Sequence, residues 1–306
     1  MNFQQLKIVR EAVRQNFNLT EVGRKLFTSQ SGVSKSLNEL ENELGIEIFV
    51  RSKSRLVGLS SEGEAVVDLI NKILTDANNL LTLSSQLSNK AKGNLVLATT
   101  HAQARYTLPN YINKFALDYP DVHLTLHQSS PEEICDLLLC GEADIGIASE
   151  GVHLHEQLIT IPWYEWYHVV IAQQDHPVFN LDEITLENLA QFPIITYHAG
   201  LTGRSRVDKA FEEKGLYPDI VLTALDADVI KTYVESGLGI GIIASIAFDT
   251  EKDKNLQLVS AEHLFERNFA KIAFRKNHYL RGYAYDFVER LSPGHNREKL
   301  KELINT

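Results

Sequence analysis

Residues 18–52 read NLTEVGRKLFTSQSGVSKSLNELENELGIEIFVRS, and the apolar spacing along them decides the fold of the first part of the chain. Val22 and Leu26 mark one short helix, with Thr20 expected as its cap. Residues 28–32 are expected to form a tight turn. Val33, Leu37 and Leu40 then face inward from a second helix, expected from about residue 31 to Leu44 and stopped by Gly45. Upstream, Phe3, Leu6, Val9, Ala12 and Val13 recur at helical spacing and end at the Asn-rich break of residues 16–18. Two short helices at this separation, the second with a polar outer face, make a helix-turn-helix. Thr28, Gln30, Ser31, Ser34, Lys35 and Asn38 fall on or beside that face, and such side chains bond base edges or phosphates in a major groove. Residues 47–50 and 56–59, around RSKSR, read as a small hairpin wing. Its Arg51, Lys53 and Arg55 are expected at phosphates or in the adjacent minor groove. Each residue alone is an ordinary solvated position; their order points to double-stranded DNA.

Charge supports this reading once it is divided. The 306-residue chain carries a net charge of −10, which by itself argues against nucleic acid. Residues 1–60 hold nine Lys and Arg against six Asp and Glu, and the remainder holds 21 against 34. A basic head on an acidic body suits a protein whose head alone meets phosphate. The apolar runs are short and interrupted, so no membrane helix is expected. The first residues, MNFQQLKIVREAV, lack the layout of a signal peptide, and a cytoplasmic protein is expected. Cys135 and Cys140 lie five apart in an expected helix, without nearby ligand partners. They read as reduced core residues, not a disulfide framework or a metal site.

Residues 60–89 form the next block. Val66, Leu69, Ile70, Ile73, Leu74, Ala77, Leu80, Leu81 and Leu87 recur at helical spacing, and Ser61 with Glu64 has the spacing of a capping box. A helix this apolar does not stand alone in water; pairing with its twin in a homodimer is expected, with packing on its own C-terminal domain as the alternative. From residue 90 onward strands and helices alternate. Strands are expected at 94–99, 122–127, 145–148, 169–172, 194–197, 220–224, 240–244 and 271–274. Helices are expected at 106–119, 131–140, 186–191, 205–214, 227–236 and 281–291. This order implies two α/β lobes, each a parallel sheet with helices on its faces, around a ligand cleft. Lobe I is expected at about 90–163 and 268–293, and lobe II at about 164–267. Three loops, TTHAQARY (99–106), ASEG (148–151) and GLTGR (200–204), are placed to line the cleft and offer hydroxyls and amides to an anion. Trp163, Tyr164, Trp166 and Tyr167 cluster at the expected crossing, as core or as pocket wall.

The stretch quoted above, with LSSEG at 59–63, resembles the DNA-binding domain of the LysR-type transcriptional regulators. That family usually has Ala-Ala where this chain has Val22 and Gly23, and often Pro where it has Ser31. The body resembles a narrower group, the LysR-type regulators of cysteine biosynthesis and sulfur assimilation. The stretches that carry this include ATTHAQARYTLP, GEADIGIASE, YHVVIAQQDHP, GLTGR and DADVIKTYVESGLGIGIIAS. The resemblance implies an N-terminal winged helix-turn-helix, a linker helix and a C-terminal periplasmic-binding-protein-like α/β domain. It also implies a transcription activator that assembles as a homotetramer and works with RNA polymerase. Its effector would be N-acetylserine, O-acetylserine, or sulfate or another sulfur anion, without a cofactor. The group's anion contacts carry over to Thr100, Gln103, Ser149 and Thr202, with Trp166 near the effector. Ala102 stands where Thr is typical and Ser149 where Thr is usual, so Ala102 brings only its backbone amide.

Two other classes fit less well. No G-x-S-x-G follows a strand, no GxGxxG opens a Rossmann unit, and His101 and His127 have no carboxylate partner visible by spacing, so an enzyme is not expected. A solute-binding protein would account for the body but not for the head or the linker.

Overall fold

Asn2 and Gln5 exchange side-chain and backbone hydrogen bonds at 3.0 Å, and this capping box starts α1 (Phe3–Arg14). Phe3 lies on the exposed side and Ile8 is buried in its place. Asn16 and Phe17 both have positive φ, which turns the chain sharply. Asn18, not Thr20, then caps α2 (Leu19–Lys25), its Oδ1 accepting from the amides of Thr20 and Glu21. Ser29 caps α3 (Gln30–Leu44) through the Gly32 amide, so residues 30–32 are helical and the turn is shorter than the sequence suggested. Gly45 ends α3 in the left-handed conformation, at φ 70°. The wing follows as antiparallel β1 (Phe49–Ser52) and β2 (Arg55–Leu59).

The computed structural model describes residues 1–53, 55–88, 92–152 and 155–304. Within them the chain divides into two compact units, Met1–Ser84 and Ser85–Thr306. The long helix α4 (Ser61–Ser88) is capped by Ser60, whose Oγ accepts from the Gly63 amide at 2.8 Å; Ser61 instead bonds Glu62. Val67, Ile70 and Leu74 of α4 join Leu6, Val9, Val33, Leu37 and Leu40 in one core. This part of the expected dimer face is therefore used by the head itself. Leu69, Leu80, Leu81 and Leu83 remain exposed. The expected domain start at 90–93 lies partly outside the described residues.

In the second unit, β3 (Gly93–Thr99), α5 (Leu108–Asp118), β4 (Val122–Gln128), α6 (Pro131–Leu139), β5 (Ile145–Ala148) and β6 (Leu158–Trp166) build lobe I. Lobe II holds β7 (His168–Gln173), α7 (Leu186–Leu189), β8 (Ile194–Tyr197), α8 (Arg204–Glu213), β9 (Ile220–Ala224), α9 (Ala227–Glu235), β10 (Ile240–Ala244) and β11 (Leu256–Ser260). The chain returns to lobe I in β12 (Asn268–Arg275), α10 (Gly282–Leu291) and α11 (Arg297–Ile304). The sheets are mixed, not parallel. Their orders are β4-β3-β5-β12-β6 and β11-β7-β10-β8-β9. Strand β12 runs antiparallel to both β5 and β6, and β7 antiparallel to both β10 and β11. In each lobe the antiparallel strand is the one that arrives from the other lobe, β7 in lobe II and β12 in lobe I, which is why two α/β lobes joined by crossings are not wholly parallel.

Strands β6 and β11 and helix α11 were not expected. Since β6 continues through Trp166, the first crossing falls at Tyr167, later than the residue 163/164 boundary. Lobe I likewise extends past residue 293, because Leu300 and Ile304 of α11 are buried in its core beside Phe115, Phe287 and Leu291. Among the described residues, no helix is long and apolar enough to cross a membrane. Leu300→Ala is expected to lower stability by about 2–5 kcal/mol in urea unfolding of the full chain; a loss below about 0.5 kcal/mol would mean that α11 is only an appendage.

Candidate functional site

The first site is the outer face of α3. Gln30, Ser31, Lys35 and Asn38 are exposed there and Ser34 is half-buried. They line one shallow groove with Glu39 and Asn42. Thr28 is exposed just before the helix cap, its amide bonded to the Gly23 carbonyl at 2.9 Å. A Cβ on residue 23 would come within 2.8 Å of the Thr28 carbonyl oxygen, so the Gly seats this turn tightly on α2. Lys53, in the wing turn at φ 58°, and Arg55 are both exposed.

Arg51 departs from expectation. Its guanidinium donates to Glu41 Oε2 at 2.6 Å and to Asn38 Oδ1 at 2.9 Å. The other oxygen of the buried Glu41 accepts the amides of Ile48 and Phe49 at 2.8 and 3.1 Å. One carboxylate thus ties α3 to the wing, and Arg51 neutralises it. Arg51 is an anchor of the wing before it is a phosphate ligand. The sequence clue was Glu41 itself, a charge next to the inward stripe of Leu37 and Leu40.

The second site lies at the carboxyl ends of β3, β5, β6 and β10, where ligands bind in such folds. Thr100, Ala102, Gln103, Ser149, Trp166 and Thr202 all line one cavity there, with Pro131, Glu150, Ala244 and Ile246. The cavity itself is tight, about 10 Å³, room for about one water. It opens beside a wider cleft that shares Thr100, Ala102 and Thr202 and adds Ser129, Ser130 and Asp226. TTHAQARY is not a loop: the chain is helical from His101, through a π-turn at Gln103–Thr107, into α5. Thr100 stands at its start, and Ala104 returns its amide to the Thr100 carbonyl. The first amides of such a helix lack intrahelical acceptors, so Ala102 contributes a donor despite its missing hydroxyl.

Each polar group is held by a neighbour. Tyr164 donates to Gln103 Oε1 at 2.6 Å, leaving the Gln103 amide to donate. Burial pushes the Tyr164 phenol up to about 12, so it stays a donor. Trp166 Nε1 donates to Ser149 Oγ at 2.9 Å, which frees the serine hydrogen for another acceptor. Trp163 packs on Tyr111 and Tyr164 instead and belongs to the core. Arg204 of the GLTGR loop donates to the Tyr197 carbonyl and to Asp208, which ties it back into lobe II.

Behind Thr202 lies a closed polar pair that does not itself line the cavity. His168 and Asn268 are 0% and 1% exposed. His168 Nε2 bonds the Thr202 carbonyl at 3.1 Å, while His168 Nδ1 and both polar atoms of the Asn268 side chain have no hydrogen-bond partner. A Cβ on residue 203 would come within 2.7 Å of both side chains, and Gly203 and Thr202 both hold positive φ. Glycine is thus required at 203, and Thr202 is held in a conformation that costs a β-branched residue about 1 kcal/mol or more.

Glu150 was quoted within ASEG but not singled out, although it directly follows Ser149 at the end of β5. His101 does have a carboxylate partner: its Nε2 lies 3.5 Å from Asp228 of α9, far along the chain. Arg105 and Tyr106 bond the same carboxylate at 3.2 and 2.8 Å, and Lys231 lies 3.6 Å away. Burial would raise the Asp228 carboxyl, but the Tyr106 hydrogen bond and the Lys231 and Arg105 charges hold it below its ordinary value. His101, Asp226 and Asp228 have ligand atoms within 4.8 Å of one another, but this paired Asp228 is an inter-lobe tie.

Burial pushes His168 down to about 4 from 6.5. A histidine kept neutral by the fold costs nothing above pH 6.5 and weakens the fold as pH drops from 6.5 toward 4, by about 3 kcal/mol at the lower end. His168→Gln is expected to lack that component when unfolding free energies of both proteins are compared from pH 7.5 to 4. Parallel pH curves would refute it.

Comparison with known proteins agrees with both halves. Residues 3–64 match the family described as bacterial regulatory helix-turn-helix protein, lysR family, and residues 88–294 match the LysR substrate binding domain. The chain is 49% identical over 304 residues to the HTH-type transcriptional regulator SsuR of Burkholderia cenocepacia, covering 99% of each. It is 48% identical to the HTH-type transcriptional regulator cbl of Escherichia coli K12, covering 99% of this chain and 96% of that one. The crystal structure of the cofactor-binding domain of the Cbl transcriptional regulator aligns at 44% identity and a TM-score of 0.68, over 71% of this chain and 96% of that one. The α3 face therefore lies in a LysR-family helix-turn-helix domain and the cavity in a LysR substrate binding domain: the chain belongs to the LysR family of transcriptional regulators and is not an enzyme.

Proposed function

We propose that this regulator controls genes of sulfur assimilation and cysteine biosynthesis and responds to N-acetylserine or O-acetylserine bound between its lobes. The observation that carries the effector reading is the convergence of Thr100, Gln103, Ser149, Thr202 and the amide of Ala102 on one cavity. These groups can all donate hydrogen bonds, which suits the carboxylate of an acetylated serine or a sulfur oxyanion. The gene class follows from the group that the body resembles. A sibling role at sulfonate or sulfate-starvation genes is the second reading, favoured by the 49% identity to SsuR.

The protein acts in the cytoplasm as a homodimer through α4, assembled further into a homotetramer, and contacts RNA polymerase when it activates. The exposed Leu69, Leu80, Leu81 and Leu83 support the dimer, because such residues on one long helix call for an apolar partner. A dimer presents two copies of α3 to two-fold related half-sites.

Gel shifts on a sulfur-assimilation promoter with and without N-acetylserine test the reading. Thr202→Ala should require about tenfold more N-acetylserine for the same response while DNA affinity stays unchanged. Loss of DNA binding in that variant would make Thr202 structural.

Wing charges separate in the same assay. Arg55→Ala should weaken binding to all sequences and lower the slope of log affinity against log salt by about 1. Arg51→Ala should instead lower the melting temperature of the head, because it strands the buried Glu41 carboxylate. An unchanged salt slope for Arg55→Ala would place the wing off the phosphates.

A further inference from the structure

Glu150 is the one group in the cavity that does not suit an anion. It follows Ser149 at the end of β5 and lines the same space as Thr100, Gln103, Trp166 and Thr202. Its carboxylate faces lobe II, where the backbone at Gly203 and the charge of Arg206 in α8 lie close enough to act on it. Its Oε1 is fully buried and has no hydrogen-bond partner among the described residues. A buried carboxylate oxygen without a donor is costly, and an ionised carboxylate only accepts hydrogen bonds. Around it stand hydroxyls, a carboxamide and helix-start amides that can serve a negative group. The cavity therefore offers two chemistries side by side: donors for an anion, and one acceptor with nothing yet to accept.

We propose that Glu150 selects the effector by accepting a hydrogen bond from an N–H or ammonium beside the effector's anionic group. Resting on the reading of this cavity as the effector site, the assignment makes the ligand class a small amino acid or N-acylamino acid. A bare oxyanion such as sulfate would set a second negative charge against Glu150 with no hydrogen to give it. This is selection by a repulsive element, which rejects a competitor that fits the donors equally well. Burial pushes the Glu150 carboxyl up, against the Gly203 amide and Arg206, which agrees with an oxygen held short of partners. Ser149 and Glu150 then divide the work: the hydroxyl serves the anionic end and the carboxylate reads its neighbour.

Isothermal titration of the full chain with three probes tests this: N-acetyl-L-serine, sodium sulfate, and 2-O-acetylglycerate, in which an ester oxygen replaces the amide N–H. The wild-type protein should bind N-acetyl-L-serine on the order of 100-fold more tightly than the ester, because the ester leaves Glu150 unpaired. Glu150→Gln, which keeps shape and removes charge, should bind sulfate about tenfold more tightly than wild type and N-acetyl-L-serine more weakly. Retained gel-shift activity of E150Q reports that it is folded. Equal wild-type affinity for the amide and its ester, or a preference between sulfate and N-acetyl-L-serine that E150Q leaves unchanged, would overturn the role of Glu150 alone. Failure of the wild-type protein to bind any of the three would overturn the effector reading of the cavity, and the Glu150 assignment with it.

Discussion

Asn268 lies opposite Trp166 in the antiparallel register of β12 and β6, and the cleft between the lobes depends on that pairing. The chain crosses between lobes just after one of these residues and just before the other, so the two crossings run side by side. The short segment from Trp166 to His168 then works in both directions. Trp166 holds Ser149 at the end of β5 in lobe I, and His168 holds the Thr202 carbonyl in lobe II. Two loops from different lobes are thus set against one another by side chains two residues apart. The absence of a side chain at Gly203 is what lets the lobe II loop settle onto His168 and Asn268.

The head depends on a different tie. Its apolar core would form from α1, α2, α3 and the start of α4 by periodicity alone, but periodicity does not place the wing. Glu41 does, by accepting two amides at the entry to β1 and the guanidinium of Arg51 inside the strand. A buried carboxylate is tolerated here because each of its oxygens is satisfied. The wing is thereby fixed at the flank of α3, with Lys53 and Arg55 exposed on it. The net charge of the whole chain is −10, while residues 1–60 are net basic.

The parts of this architecture that were legible in the sequence are those set by neighbours in sequence. Helices α1 to α4 follow from apolar spacing, and the strand ends carrying Thr100 and Ser149 follow from short apolar runs bounded by polar residues. The parts that escaped are set by distant partners. Pro162 argues against a strand over LITIPWYEW, yet β6 is an edge strand, and its pairing with β12 shifts register beside that proline. Helix α11 reads as a charged tail because only Leu300 and Ile304 face lobe I. Caps were misplaced by one or two residues wherever two polar residues competed for the position, as at Asn18 against Thr20 and Ser60 against Ser61. The tie of Arg51 to Glu41 is invisible in its spacing, and nothing local to Ser149 marks the burial of the neighbouring Glu150.

The helix that begins at His101 shows why such long-range ties matter to function. Thr100, Ala102 and Gln103 line the cavity between the lobes, while His101, Arg105 and Tyr106 hold Asp228 of the other lobe. Both sets lie within two turns, so neither can shift independently of the other. The π-turn at Gln103–Thr107 lies at this junction, with one extra residue per hydrogen-bonded ring, and π-turns of this kind recur at functional sites. A ligand that draws Gln103 and the first amides toward itself acts through the same backbone on the tie to Asp228. The cavity lining and the inter-lobe tie thus share one helical element, and a ligand could change the second by no more than the difference in its affinity for the two arrangements.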